Sequence, residues 1–441
     1  MKINDKKFFV LAKENGIEAC DFSYHHSKST SFSIYHQEVD SMTQSDTYKV
    51  VARGIVNGKF GQGYTEKIDK NTPLFLVNSI KETASIIESN DPCLIYDKKV
   101  KYHSKNVFNK DTLSNNLQDK IALLKEIENK LYAYDERIND VMSVGYEEEL
   151  DESVLSNSYG IRLKDKMATC SIYAEVSAKQ GDDIKTGFKV FASLDFNDFN
   201  KDQFIEDVAK DALNKLGATQ CKSKKYPVVF SQECFSKLLR PYLSNVDAEE
   251  VQKKSSLFID KLHQNIASKK LTVIEDSSIK NVAFEYHDDE CVPCNKKFIV
   301  KKGVLETYIY TLETASKDNV EPTGNAVRSG KMKAALGHLI VKNGKHSFDE
   351  MISKIKEGVY ITSLEGLHAG MNAKSGNFSL QSQGFMIRDG KIAEPLTLIT
   401  VAGNLVDVFN NIKDIANDSK FILNSTTTPS VYIKKLAVSG K

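Results

Sequence analysis

The chain has 441 residues, with 60 lysines and arginines against 59 aspartates and glutamates, so its formal net charge is +1. That balance excludes the strongly basic face on which nucleic acid or an anionic membrane would be held. A hydrophobic content of 41% fits a globular chain long enough for two or three domains, and no run of about 18 apolar residues offers a membrane span.

The start, MKINDKKFFVLAKENG, has charges but no apolar core or small-residue cleavage site, so no secretory signal is expected. Residues 5–15 predict a short helix, with Phe8, Phe9, Leu11 and Ala12 near one face. Residues 46–66 alternate and contain Asn57-Gly58, which suits a two-residue turn with positive φ, so a β-hairpin is predicted. Next, Thr72 is a candidate cap and Pro73 stands at the first helical position. Leu76, Ile80, Ala84 and Ile87 then recur at helical spacing. A long amphipathic helix is predicted from Asp111 to about Asp140, a strand block over about 151–196, and a further helix over 201–218 ending at Gly217.

All of this reads as one α+β unit. The basic stretch CKSKK (221–225) marks a boundary, dividing the chain into domains 1–220 and 221–441. Beyond it, the strand YPVVF (226–230) leads into a helix over about 231–245. Turns at Lys302-Gly303 and Asp389-Gly390 predict two hairpins, and helices are predicted over 347–357 and 404–417.

The common catalytic motifs are missing. There is no H-E-x-x-H, no H-E-x-x-x-H, no phosphate loop and no G-x-S-x-G elbow. The glycines of GKFGQG (58–63) have the wrong spacing for dinucleotide binding and sit in a predicted hairpin. Two stretches remain. HDDECVPC (287–294) brings His287, Cys291 and Cys294 within eight residues. It could be a metal knuckle, a redox pair, or a polar loop with incidental thiols. A closed zinc site wants four ligands and a redox pair prefers a helix N-terminus, and neither is evident here. The odd total of seven scattered cysteines, without a secretory signal, points to free thiols in a reducing cytoplasm. EGLHAGMNAKSGNFSLQSQGF (365–385) mixes glycines with His368, Asn372 and Ser379. It fits either a series of tight turns or a backbone shaped for close approach.

That second stretch, extended through 412, resembles the C-terminal signature of the TldD/PmbA family of peptide-maturation and degradation proteins. VEPTGNAVRSG (320–330), PSVYIKKLAVSG (429–440) and YKVVARGIVNGKFGQGYT (48–65) are similar to it as well. One branch of that family carries H-E-x-x-x-H on a helix and binds zinc. The other, PmbA or TldE, lacks those ligands and pairs with the first. At the corresponding helix this chain has Arg240, Pro241 and Asn245 in the histidine, glutamate and histidine positions, and no cysteine follows Cys294. The chain therefore looks like the PmbA/TldE branch, and Cys291 and Cys294 look like features of this sequence alone.

The resemblance implies a two-domain α+β protein with an N-terminal mixed α/β domain and a C-terminal, largely antiparallel, sheet-rich, barrel-like domain. It implies a cytoplasmic dimer, in which a TldD-like partner holds zinc and unfolded or leader peptides enter as extended strands. This chain would hold no cofactor and no catalytic residue of its own. His368, Gly370, Asn372, Gly376 and Ser379 are the candidates for a substrate cavity or interface. The family's association with modulation of DNA gyrase finds no support in the charge pattern. Two alternatives stay open: a homodimeric peptide-binding protein without activity, and an independent metalloenzyme using His287, Cys291 and Cys294.

Overall fold

The computed structural model describes residues 5–113 and 116–441. The N-terminal half is built on one antiparallel sheet of strands β1 (Cys20–Tyr35), β2 (Glu38–Val56), β3 (Lys59–Thr65), β4 (Ile138–Asn157), β5 (Arg162–Gln180) and β6 (Asp183–Ser193). Their spatial order is β3-β2-β1-β4-β5-β6. Four helices cover it: α1 (Asp5–Glu14), α2 (Thr72–Ser85), α3 (Leu117–Tyr134) and α4 (Lys201–Leu213). Apolar residues of α3 and α4, among them Leu124, Ile127 and Val208, meet Phe32, Val144 and Ile172 of the strands. Phe8 of α1 and Leu76 and Ile80 of α2 meet Phe22 and Val50.

The predicted hairpin joins β2 to β3, with Asn57 and Gly58 at φ of 50° and 72°. The glycines of GKFGQG serve packing. A Cβ on Gly61 would lie 1.8 Å from the Ile80 carbonyl oxygen, so only glycine lets α2 lie this close to β3. Several predicted helices are shorter than expected. The cap of α2 is Asn71 rather than Thr72, which is already helical. The helix predicted over 111–140 is α3 alone, capped by Asn116, whose side chain accepts from the Asp119 N–H at 2.9 Å. Positions 114 and 115 of that prediction lie outside the described residues. From Ile138 the chain instead pairs with β5, a long-range contact that local pattern does not reveal. The helix predicted over 201–218 ends at Leu213, with Gly217 in the following turn at φ 72°.

In chain order, the C-terminal half begins with β7 (Lys224–Phe230), α5 (Gln232–Leu243), α6 (Ala248–Gln252), β8 (Val273–Glu275), β9 (Lys297–Lys301), β10 (Val304–Leu305), α7 (Leu312–Asp318), β11 (Ala326–Ser329), β12 (Lys331–Ala334) and β13 (Leu339–Val341). It continues with α8 (Phe348–Ile352), β14 (Glu357–Glu365), α9 (Leu367–Gly370), β15 (Asn377–Arg388), β16 (Lys391–Asn404), α10 (Leu405–Asn410), β17 (Ile412–Ile415), β18 (Lys420–Ile422), β19 (Thr426–Thr428) and β20 (Val431–Ser439). Strands β16, β15, β14, β7 and β20 form a five-stranded barrel that the β16–β20 pairing closes, and only β14 and β7 run parallel in it. A second sheet has the order β10-β9-β8-β13-β19-β18, and β11 with β12 makes a separate hairpin. The fold is thus mixed α/β with a sheet-rich, barrel-containing C-terminal half, as the resemblance implies.

Both predicted C-terminal hairpins form. Lys302-Gly303 and Asp389-Gly390 all have positive φ. The helix predicted over 347–357 is only α8, because Glu357 onward joins the barrel as β14. The helix predicted over 404–417 is only α10, because Ile412–Ile415 pairs with β20. Helix α5 packs between β14 of the barrel and β19 of the second sheet. Its Phe235, Leu239 and Tyr242 join the largest core, and Tyr242 stacks on Phe409 at 4.2 Å between ring centroids. No helix among the described residues is long and apolar enough to cross a membrane.

Candidate functional site

Helix α5 starts where Ser231 leaves β7 and caps the Cys234 N–H through its hydroxyl at 3.3 Å. One face of α5 is buried by apolar residues, which leaves Arg240 and Pro241 in the last turn half-buried at its side. Pro241 has no N–H to donate to the preceding turn, and the helix ends two residues later. Arg240 reaches away from the helix and donates to three backbone carbonyls. Nη2 meets Leu336 at 2.6 Å, and Nη1 meets Gly337 at 3.2 Å and Ser425 at 3.1 Å. Burial lowers the pKa of Arg240, and the nearby Glu275 carboxylate partly offsets this.

Asn245 is buried and uses both ends of its amide. Nδ2 donates to the Tyr242 and Ala373 carbonyls at 3.1 and 3.0 Å, and Oδ1 accepts from the Leu257 N–H at 2.9 Å. It ties the end of α5 to two loops. Arg240, Pro241 and Asn245 together line a cavity of about 530 Å³. Asp247 and Glu250, Ala334 at the end of β12 with Ala335 and Leu336 after it, and Ala373 with Lys374 also line it. Lys374 pairs with Glu250 at 2.5 Å across its edge. Asp247 caps α6 through the Glu249 N–H at 2.9 Å. Burial, with Glu249 and Glu250 nearby, pushes its carboxyl up to about 6.

This corner supplies a guanidinium, a proline ring and a carboxamide, a donor set that does not fit a zinc ion. Among the described residues, no group of three His, Cys, Asp or Glu is positioned to hold a metal. The 365–385 stretch reaches the cavity only through Ala373 and Lys374. His368, Asn372 and Ser379 are exposed on the surface beside it. Gly370 lets α9 approach β15, since a Cβ there would meet the Ser379 carbonyl oxygen at 2.3 Å. Gly376, at φ 76°, packs beside Asn404 in the turn that precedes β15.

The HDDECVPC loop is closed. Both ring nitrogens of His287 are engaged, Nε2 by Asp165 at 2.7 Å and Nδ1 by the Asp288 carbonyl at 2.9 Å. Cys291 is buried, and the Cys294 thiol donates to the Gly324 carbonyl at 3.2 Å. Burial raises the pKa of both thiols, which disfavours the thiolate that metal or redox chemistry needs. The structure therefore does not assemble His287, Cys291 and Cys294 into a ligand set.

The loop acts through its acids instead. Asp288, buried, accepts from the N–H groups of Glu290, Val292 and Ala326 at 2.8–2.9 Å. Glu290 accepts from the Leu312 N–H at 2.8 Å and faces Arg53 at 3.4 Å. Arg53 grips Asp21 through Nε and Nη2 at 2.8 and 2.6 Å, and Arg328 reaches the other Asp21 oxygen at 2.9 Å. Asp21 and Arg53 belong to β1 and β2, while Glu290 and Arg328 belong to the C-terminal half. This buried network joins the two halves. Sequence reasoning missed it, although an arginine inside the apolar run VVARGIV was a usable signal, because a buried charge requires a partner.

Family models match three stretches: PmbA/TldA metallopeptidase domain 1 over residues 20–88, the central domain over 110–218, and the C-terminal domain over 223–440. A Buchnera aphidicola protein called metalloprotease PmbA homolog is 28% identical over 255 residues, which is 57% of this chain and 55% of that one. The alignment thus spans just over half the length of that relative. A Thermotoga maritima structure, described as a candidate modulator of a DNA gyrase, superposes with a TM-score of 0.91 at 25% identity and covers 99% of both chains. The structure of TldE from Thermococcus kodakarensis gives a TM-score of 0.90 at 18% identity, over 99% of this chain and all of that one, and shares the fold.

Proposed function

This chain belongs to the PmbA/TldD metallopeptidase family, and from that premise we propose that it is the TldE/PmbA-like subunit of a cytoplasmic peptidase complex. A TldD-like partner supplies the zinc, and this chain supplies a wall of the substrate chamber. The observation that carries the proposal is the chemistry at Arg240, Pro241 and Asn245. None of these three side chains is a zinc ligand, all three line the cavity of about 530 Å³, and Arg240 and Asn245 are already committed to backbone partners.

Strand β12 is paired only with β11 among the described residues and borders the same cavity at Ala334. An extended peptide can add to such an edge through backbone hydrogen bonds, which tolerates varied sequences. The exposed His368, Asn372 and Ser379, with Gly370 and Gly376 shaping the backbone between them, face the partner subunit in this reading. Seven free thiols, five of them buried, accord with a reducing compartment.

The test is a tagged purification from native cells, with mass spectrometry and zinc analysis of what co-elutes. A relative bearing H-E-x-x-x-H, in about equal amount and carrying the zinc, is the expected result. Recovery of this chain only as a homodimer overturns the proposal in favour of a peptide-binding protein without hydrolytic activity. Stoichiometric zinc on this chain alone also overturns it, and points to an independent metalloenzyme.

A further inference from the structure

The 287–294 loop meets the N-terminal half at a second point, beside β5. The His287 side chain, 11% exposed, stands between two groups that can only accept. Its Nε2 lies 2.7 Å from an Asp165 carboxylate oxygen on β5, and its Nδ1 lies 2.9 Å from the Asp288 carbonyl. A neutral imidazole has one N–H and one lone pair, so it serves one of these acceptors and turns a lone pair on the other. Only the imidazolium donates to both.

The charges around the ring favour that cation. Its own loop brings the carboxyls of Glu285 and Asp288, while Asp289 accepts from the Arg328 N–H at 2.7 Å and Glu290 faces Arg53. On β5, Asp165 is flanked by Lys164 and by Lys166, which Glu152 holds at 2.8 Å. On β1, burial lowers the pKa of His25, the nearby histidine that also feels Asp165. Burial opposes the charge on His287, but Asp165 and then Asp288 outweigh it, so the pKa is raised from the usual 6.5. The other ties across the junction hold their protonation state near neutrality. The arginines stay charged. Burial raises the phenols of Tyr102 and Tyr286, which donate to the Cys291 and Lys164 carbonyls at 2.6 and 3.1 Å.

We propose that His287 is a proton-dependent clasp between the two halves of the chain. Charged, it bridges β5 and the loop. When a ring nitrogen gives its proton to water, one of the two bonds is lost and the strand and loop loosen from each other. The folded chain holds this proton more tightly than the unfolded one, so the clasp contributes fully below 6.5 and fades as pH rises through the folded-state value. The Asp21–Arg53–Arg328 network keeps the halves joined meanwhile. The clasp is independent of the zinc-partner proposal, because every readout uses the purified chain alone.

The test follows His287 in the full chain by nitrogen NMR of labelled imidazoles, its signal identified among nine histidines as the one that His287→Gln removes. At about pH 6 both ring nitrogens should carry protons, and the titration should lie above 6.5. Asp165→Asn replaces an obligate acceptor by a group that can also donate, so the titration should drop to 6.5 or below. Hydrogen exchange, corrected for the chemical rate, reads the loosening. Burial, followed by Glu290, pushes the nearby Asp288 carboxyl up to about 7, and it is present in both wild type and His287→Gln, so their difference isolates the imidazole. From about pH 6 to about pH 9, protection over 162–166 and 285–289 should fall in wild type by about tenfold or more beyond any fall in His287→Gln, the scale of one charge-assisted hydrogen bond. His287→Asn serves the same comparison. A neutral ring at about pH 6, a titration that Asp165→Asn leaves in place, or equal loss of protection in wild type and both His287 variants overturns the proposal.

Discussion

The corner at Arg240 and the loop at 287–294 are both places where charged and polar side chains interrupt an apolar surround, and they do opposite things. At Arg240 the polar groups face a cavity, and their partners are backbone atoms that fix its shape. In the loop, Asp288 is enclosed with backbone N–H groups, and Glu290 meets Arg53 from another part of the chain. Polar residues at the first corner shape a surface that a ligand can meet, whereas those in the loop hold two halves of the molecule together. Residue type alone does not separate the two cases. The deciding difference is the partner: backbone carbonyls for Arg240, and an arginine from the other half of the chain for Glu290.

Three substitutions sharpen this contrast. Arg53→Ala leaves Asp21 buried with one arginine fewer and Glu290 without its cation. A loss of about 3–5 kcal/mol is expected in urea unfolding, with both halves affected. A loss below about 1 kcal/mol, the scale of a surface pair, would mean the network is solvated and the contrast drawn here is false. Asn245→Ala removes the bracket between α5, Leu257 and Ala373. A smaller loss of about 2–3 kcal/mol is expected from the stranded N–H and carbonyl groups, with altered proteolysis confined to the 371–376 loop. Global loosening instead would make this corner a staple like the loop.

Asp247→Asn should have the smallest effect, visible only against pH. The Asp247 carboxyl in the folded chain is raised from a usual 3.8 to about 6, so the folded state holds this proton more tightly than the unfolded one. Its contribution to stability therefore falls as pH rises from about 3.8 to about 6. Asparagine keeps the cap on α6 and removes the titration. Thermal melts across that range should lose this part of their slope in Asp247→Asn, and a slope identical to wild type would refute the assignment.

Much of this was legible in advance where the signal is local. Asn57-Gly58, Lys302-Gly303 and Asp389-Gly390 announce turns because their backbone conformations favour those residue types. The turn between β1 and β2 was not read, since His36 and Gln37 adopt positive φ without a glycine to mark it. Helix ends after Tyr134, Ile352 and Asn410 were overrun for a different reason. The residues that follow become strands by pairing with partners far along the chain, as Ile412 does with Ile433. Arg240, Pro241 and Asn245 were found through resemblance to a family, while the carbonyls that hold Arg240, from Leu336, Gly337 and Ser425, had no local signature. The Asp21–Arg53–Arg328 network was least legible, because its members meet only once both halves are folded.

The placement of β7 in the barrel has a consequence for how the protein is made. Its two neighbours are β14, where Val359 pairs with Val228, and β20, where Ile433 pairs with the same residue. During synthesis, the apolar strand containing Tyr226, Val228, Val229 and Phe230 therefore emerges long before either partner exists. Such high contact order slows closure and leaves an adhesive segment waiting. Pro227, which cannot donate to a growing cross-β ladder, and the lysines at 224 and 225 act as gatekeepers for that interval.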